Sequence, residues 1–159
     1  MGRGGRSSGG GRAAGRNRDS GGPQIVRTGR MGTNERGSRA EILSVEGVEF
    51  VRSRAAQVLG GETVLVNVER LNEAWSRNEG FFIPRGGGGA EIGGRREGVG
   101  RFLDQGRPID MSQIHVSRSG EVSFSDGRHR FSVLRDRGMT HVPVSISGSV
   151  STARRLFGA

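Results

Sequence analysis

Residues 126–130 read Asp-Gly-Arg-His-Arg, and these five positions bring together the groups that hold an anion. Arg128 and Arg130 can each offer paired N–H donors to phosphate oxygens. His129 titrates near neutrality, so it can donate to a phosphate or transfer a proton. Gly127 lets the backbone approach a ligand closely. Asp126 has three readings: a helix cap, a partner that orients His129, or a metal ligand. Before this run, Val122 and Phe124 alternate with Ser123 and Ser125 as in a strand; after it, Phe131 and Leu134 lie three apart as on one face of a helix. A strand that stops, turns on Gly and enters a helix leaves the first helical N–H groups unpaired at the positive end of the dipole. The pattern therefore predicts a phosphate-binding turn at Asp126, Gly127, Arg128 and Arg130, with His129 as a candidate catalytic residue.

Elements on either side must hold this turn. Ile114 and Val116 alternate with His115, and SRSG (117–120) forms a hairpin turn to the strand at Val122. The helix is expected from Arg128 to about Arg137, closed by Gly138, with Arg135 and Arg137 as solvated charges in its last turn. Val142, Val144 and Ile146 predict a further strand in which Pro143 suggests an edge or a bulge, and residues 150–157 a short helix capped by Ser151. Upstream, TVLVNV (63–68) reads as a strand, ERLNEAW (69–75) as a helix, and 95–105 as an amphipathic helix with Val99, Phe102 and Leu103 inward. Glu46-Gly47 is either a turn between short strands or the start of a helix, and RSRAAQVL favours helix for the residues after it.

Other candidates for chemistry are sparser. Glu97, beside Arg95 and Arg96, reads as a catalytic carboxylate or as a favourable acid in the first turn of its helix. Glu69 and Glu73 lie four apart, on one helix face. No HExxH, carboxylate cluster or paired-His spacing predicts a dedicated metal site. The loop holding Gly86–Gly89 reads either as a cover for a ligand or as a flexible connection. Lys is absent, which excludes a Walker P-loop and Schiff-base catalysis. Cys is absent too, which excludes disulfides, thiolate nucleophiles and Cys-based zinc sites.

The charge is lopsided. Residues 1–40 hold nine Arg against two acids, +7 of the net +9, together with 12 of the 30 Gly; residues 41–159 hold 16 Arg against 14 acids, a net of +2. Such a composition cannot bury enough apolar surface to offset the entropy of ordering it, so residues 1–40 are expected to be a disordered tail before a single domain at 41–159. The tail is either a solubilising linker or a nucleic-acid-binding arm acting through Arg3, Arg6, Arg12, Arg16 and Arg18. With no aromatic residue before Phe50, its affinity would be electrostatic. No apolar run is long enough to span a membrane, and a cytoplasmic location is expected.

The run SDGRHRFSVLRDRGMTHVPVSI (125–146) resembles the central motif of the ParB/sulfiredoxin-like superfamily, in which a strand ends in a G-x-x-R turn, a helix follows, and a V-P-V-type strand comes after a Gly. Upstream, GRPIDMSQIHVSRSGEVSFSDG is similar to that superfamily's Gly-x-Pro-Ile and hairpin. The resemblance covers roughly Thr63 to Ser147 and leaves the tail and residues 41–60 outside. It implies an α+β fold, a small mixed β-sheet with flanking helices. It implies a nucleotide ligand, CTP as in partition proteins or ATP as in sulfiredoxins and a free-serine kinase, with Mg²⁺ arriving with the nucleotide. Sulfiredoxins carry a catalytic Cys in G-C-H-R. Arg128 stands at that position here, so Gly127, His129 and Arg130 carry over and the redox chemistry does not. Partition proteins continue into a helix-turn-helix domain, whereas 12 residues follow Ser147 here. The expectation is a small phage- or mobile-element-type ParB-like protein associated with DNA, in a bacterial host's cytoplasm or with a virion. A metal-dependent nuclease and a non-enzymatic nucleic-acid-binding or virion-associated protein are the alternatives, and turnover is left open.

Overall fold

The computed structural model describes residues 22–159, so the tail arginines Arg3, Arg6, Arg12, Arg16 and Arg18 lie outside the described residues. Three strands open the fold: β1 (Val26–Thr33), β2 (Arg39–Val45) and β3 (Val48–Val51) run antiparallel to one another. Glu46 (φ 52°) and Gly47 (φ 83°) make the turn between β2 and β3, and two left-handed central residues are what a tight hairpin of this kind requires. The turn reading of Glu46-Gly47 is the one found, and the helix follows as α1 (Arg54–Leu59).

Strand β1 corrects the expectation that residues up to 40 form a tail. Its arginines are not spare charge: Arg27 pairs with Glu41 on the adjacent β2 and Arg30 with Glu49 on β3, one strand beyond. The Thr28 hydroxyl donates to the Ile42 carbonyl at 2.6 Å. A Cβ at Gly32 would lie 3.0 Å from the Ile42 side chain, so that glycine serves close packing. Cross-strand pairs of this kind stabilise a strand that composition alone marks as low complexity.

The second sheet carries the core. Its strands are β4 (Glu62–Asn67), β6 (Ser112–Val116), β7 (Val122–Asp126) and β8 (His141–Gly148), in the order β4-β8-β6-β7. β8 runs antiparallel to β4 and parallel to β6, and β6–β7 is the predicted hairpin. The short strand β5 (Ile109–Asp110) pairs parallel with β3, so the first sheet is mixed as well. The fold is α+β with two small mixed sheets and five helices among the described residues.

Helices α2 (Val68–Trp75), α4 (Arg128–Asp136) and α5 (Val150–Phe157) bury Leu71, Trp75, Phe131, Leu134 and Phe157 against Val64, Val66, Ile114, Val116, Val144 and Ile146. Trp75 is fully buried, with the rings of Phe82, Phe124 and Phe131 at 4.9, 4.6 and 5.7 Å. Helix α3 (Arg95–Asp104) buries no residue; Val99, Phe102 and Leu103, expected to face inward, are only half-buried.

Two smaller expectations change. Pro143 sits in β8, an interior strand rather than an edge, and the β6 ladder begins one residue later at Val144, so its missing N–H costs little there. Ser149, not Ser151, caps α5 by accepting from the Thr152 N–H at 3.3 Å. The two sheets are tied by Glu46, whose carboxylate accepts from the Thr140 and His141 N–H groups at 3.0 and 3.1 Å. Burial alone would raise its pKa, but the bonds from Thr140 and His141 hold it below the usual carboxylate range.

Candidate functional site

The hairpin strand β7 ends at Asp126, and α4 begins at Arg128 with Gly127 as its N-cap in the left-handed region, φ 88°. No side chain caps this helix among the described residues, so its first N–H groups are free to meet a ligand. The position demands glycine twice over. A Cβ would lie 2.6 Å from the Ser112 hydroxyl oxygen and 3.0 Å from its Cα, and the Ser112 hydroxyl in turn donates to the Gly127 carbonyl at 2.8 Å.

Asp126 does not cap the helix. Its carboxylate accepts from the Arg130 guanidinium at 2.9 Å, one turn along. Arg130 also faces Glu35 of the β1–β2 turn at 3.6 Å, and its Nε is buried without a partner. That turn is rigid: Asn34 Oδ1 accepts from the Arg36 and Ser38 N–H groups, each at 3.0 Å, and the Asn34 amide donates to the Arg52 carbonyl. The Glu35 N–H donates to Asp110 at 3.2 Å. These groups line one cleft of about 790 Å³, walled by α3, by the β1–β2 turn and by the start of α4, within the size range of small-molecule sites.

Asp110, 5% exposed, is pushed up to about 6 by burial; Arg130 opposes the rise, and the nearby Glu35 and Asp126 add to it. A group that holds its proton more tightly in the folded state contributes stability that is fully present below its unfolded value near 4 and lost as pH rises through about 6. Asp110→Asn is therefore expected to raise stability at pH 7 by about 1–3 kcal/mol and to leave it nearly unchanged at pH 4. Urea melts at the two pH values check this, and equal effects at both would contradict it.

His129 is buried in the cleft wall, and its Nε2 accepts from the Ile92 N–H at 2.8 Å. That bond requires an unprotonated Nε2, so the ring is neutral with its proton on Nδ1. Burial, first, and then the charges of Arg128 and Arg95 lower its pKa in agreement. In this geometry the imidazole can donate to an anion, and it can accept a proton at Nε2 only by giving up Ile92.

Two expected site residues point elsewhere. The Arg128 guanidinium donates to the Ala90 carbonyl at 3.3 and 3.2 Å and braces the glycine-rich loop. Glu97 lines a separate shallow groove with Arg101, Asp104, Val133 and Arg137, so it is not gathered with His129. Glu69 pairs with Arg85 and Glu73 with Arg77 at the surface.

The glycine-rich loop is docked on α4. Besides Arg128 and His129, Asp136 accepts from the Gly86 N–H at 3.0 Å and pairs with Arg96. Burial alone would raise the Asp136 pKa, but its bonds to Arg135 and the Gly86 N–H hold it low. Arg135, expected to be solvated, has no exposed side-chain surface. It donates to the Ile83 and Pro84 carbonyls at 2.6 and 2.8 Å, to Asn72 at 2.9 Å and to Asp136 at 2.8 Å. It is the bolt that holds the loop, and an Arg one residue from a helix end carries no local sign of that.

Reasoning on the sequence missed Glu35, Asp110, Phe102 and Arg107 as cleft residues. The first two come together only through the β1–β2 turn and β5, which no local spacing announces.

No protein-family model matches the sequence, and no curated protein matches it. Among solved structures it is similar to Oncogenic Suppression Activity Protein, a plasmid fertility inhibition factor crystallised as a gold(I) cyanide derivative. The identity is 18% and the TM-score 0.54, over 86% of this chain and 75% of that one. Likeness at that identity bears on the fold alone, and it agrees with the α+β architecture described above.

Proposed function

We propose that the cleft binds a phosphate-bearing ligand, a nucleotide, at the N-terminus of α4. The observation that carries this reading is the uncapped start of α4 behind Gly127, opening beside a buried Arg130. The free N–H groups and the dipole end favour anions, and Arg130 adds a fixed guanidinium. Arg95 stands on the cleft wall near His129 as a further cationic partner.

Glu35 and Asp126 already balance Arg130, so an incoming phosphate has to displace one of them. Glu35 is the candidate: it is half-exposed, it sits at 3.6 Å, and it comes from a separate element. In a thermal-shift screen of the four NTPs with and without Mg²⁺, at least one NTP is expected to raise Tm. Arg130→Ala is expected to abolish the shift and Glu35→Gln to enlarge it. No shift with any NTP would overturn the reading.

Mg²⁺ enters this reading only with the nucleotide's own phosphates. Asp126, partly exposed on the cleft wall, is the side chain best placed to contribute an oxygen, but no group of three or more metal-ligating side chains is assembled among the described residues. Association with DNA rests on the Arg/Gly tail and on the neighbour's being a plasmid fertility inhibition factor. No described helix is long and apolar enough to cross a membrane.

A further inference from the structure

Arg95 and Phe102 lie seven residues apart on one face of α3, with Gly98 and Val99 between them, and all four line the cleft. Seven residues of helix rise about 10 Å. Arg95 stands at the end of that face near His129, whose pKa its charge lowers. Phe102 lies two turns further from the phosphate-holding end.

After α3 the chain turns at Gly106 (φ 68°) and brings Arg107 back over Phe102, with the guanidinium carbon 4.2 Å from the ring centre. Phe102 is half-buried and Arg107 exposed. Among the described residues the Arg107 side chain has one hydrogen-bond partner, Gln105 at 3.4 Å. Pro108 adjoins them on the same wall. A cleft that held only an inorganic anion has no use for Val99, Phe102 and Pro108 on its surface.

We propose that the Phe102–Arg107 stack is a platform for a planar aromatic ring, the nucleobase of a nucleotide whose phosphates lie at the start of α4. The proposal rests on the phosphate reading above and adds to it the place of the base and the two residues that hold it. A guanidinium backed by an aromatic ring stacks on bases, and stacking of this kind tolerates any base because every base has a π-face.

Calorimetric titration of the full chain with ATP, CTP, GTP, UTP and inorganic tripolyphosphate tests this. All five carry a triphosphate, so contacts between phosphate and the Arg-rich N-terminal residues enter each titration alike. At least one NTP is expected to bind about tenfold or more tightly than tripolyphosphate. Phe102→Leu is expected to cut that advantage to about threefold or less while leaving tripolyphosphate affinity unchanged. Arg107→Ala, at an exposed position that does not threaten folding, is expected to cut the same advantage. If the wild type binds tripolyphosphate as well as every NTP, or if the advantage survives both substitutions, the platform is overturned and the phosphate site stands. If none of the five binds, both are overturned.

Discussion

Replacing Arg135 by alanine is expected to cost about 3–5 kcal/mol of stability, the range for removing one partner from a buried charge network. The guanidinium has no exposed surface, and its removal strands the Ile83 carbonyl and the Asn72 amide oxygen and takes one partner each from the Pro84 carbonyl and the Asp136 carboxylate. Arg135→Lys is not expected to rescue the loss. An ammonium is a point charge and cannot reach two carbonyls, an amide and a carboxylate from one planar fork. Urea melts followed by the fluorescence of Trp75, the only tryptophan, read the effect. Because Ile83 and Pro84 lead into the loop that reaches His129 through Ile92, the variant should also lose hydrogen-exchange protection at the Ile92 N–H. A loss below about 1 kcal/mol would mean that the guanidinium is solvated rather than bolted.

Substitution of Gly127 is expected to have the largest effect on the site itself. Alanine there meets two obstacles: about 1–3 kcal/mol of strain from a positive φ, and a clash with Ser112, whose Cα is backbone and cannot swing aside. The two causes separate experimentally. Asparagine tolerates the left-handed region but still carries a Cβ, so Gly127→Asn should fail nearly as badly as Gly127→Ala. Gly138, at φ 90°, where a Cβ would meet nothing within 4 Å, provides the control, and Gly138→Asn should be nearly neutral. Both Gly127 variants should lose any NTP-induced rise in Tm, because the turn that aims the α4 N–H groups is displaced. Retention of that rise in Gly127→Asn would place the ligand elsewhere.

The strand-to-helix turn was legible because it is local. Alternation ending at Asp126, a glycine, and apolar residues three apart all lie within one stretch of chain, and the same holds for β4, α2, the β6–β7 hairpin and β8. What each side chain does with its charge was not legible. Arg128, Arg130 and Arg135 look alike in sequence, yet the first braces Ala90, the second lines the cleft and the third is buried. The difference lies in carbonyls supplied by a loop some 40–50 residues earlier. Strand β1 was hidden by its composition, since Arg and Gly read as tail until Glu41, Glu49 and Ile42 are placed opposite. Asp110 was hidden by its two-residue strand, whose burial depends on β3 and the β1–β2 turn.

The central claim is that the N–H groups at the start of α4 meet phosphate, and amide NMR during an NTP titration tests it most directly. The account predicts that the largest ¹H–¹⁵N shifts fall on Arg128, His129 and Arg130, follow a single saturating curve, and disappear in Arg130→Ala. Shifts confined to residues 1–21, with α4 silent, would contradict it.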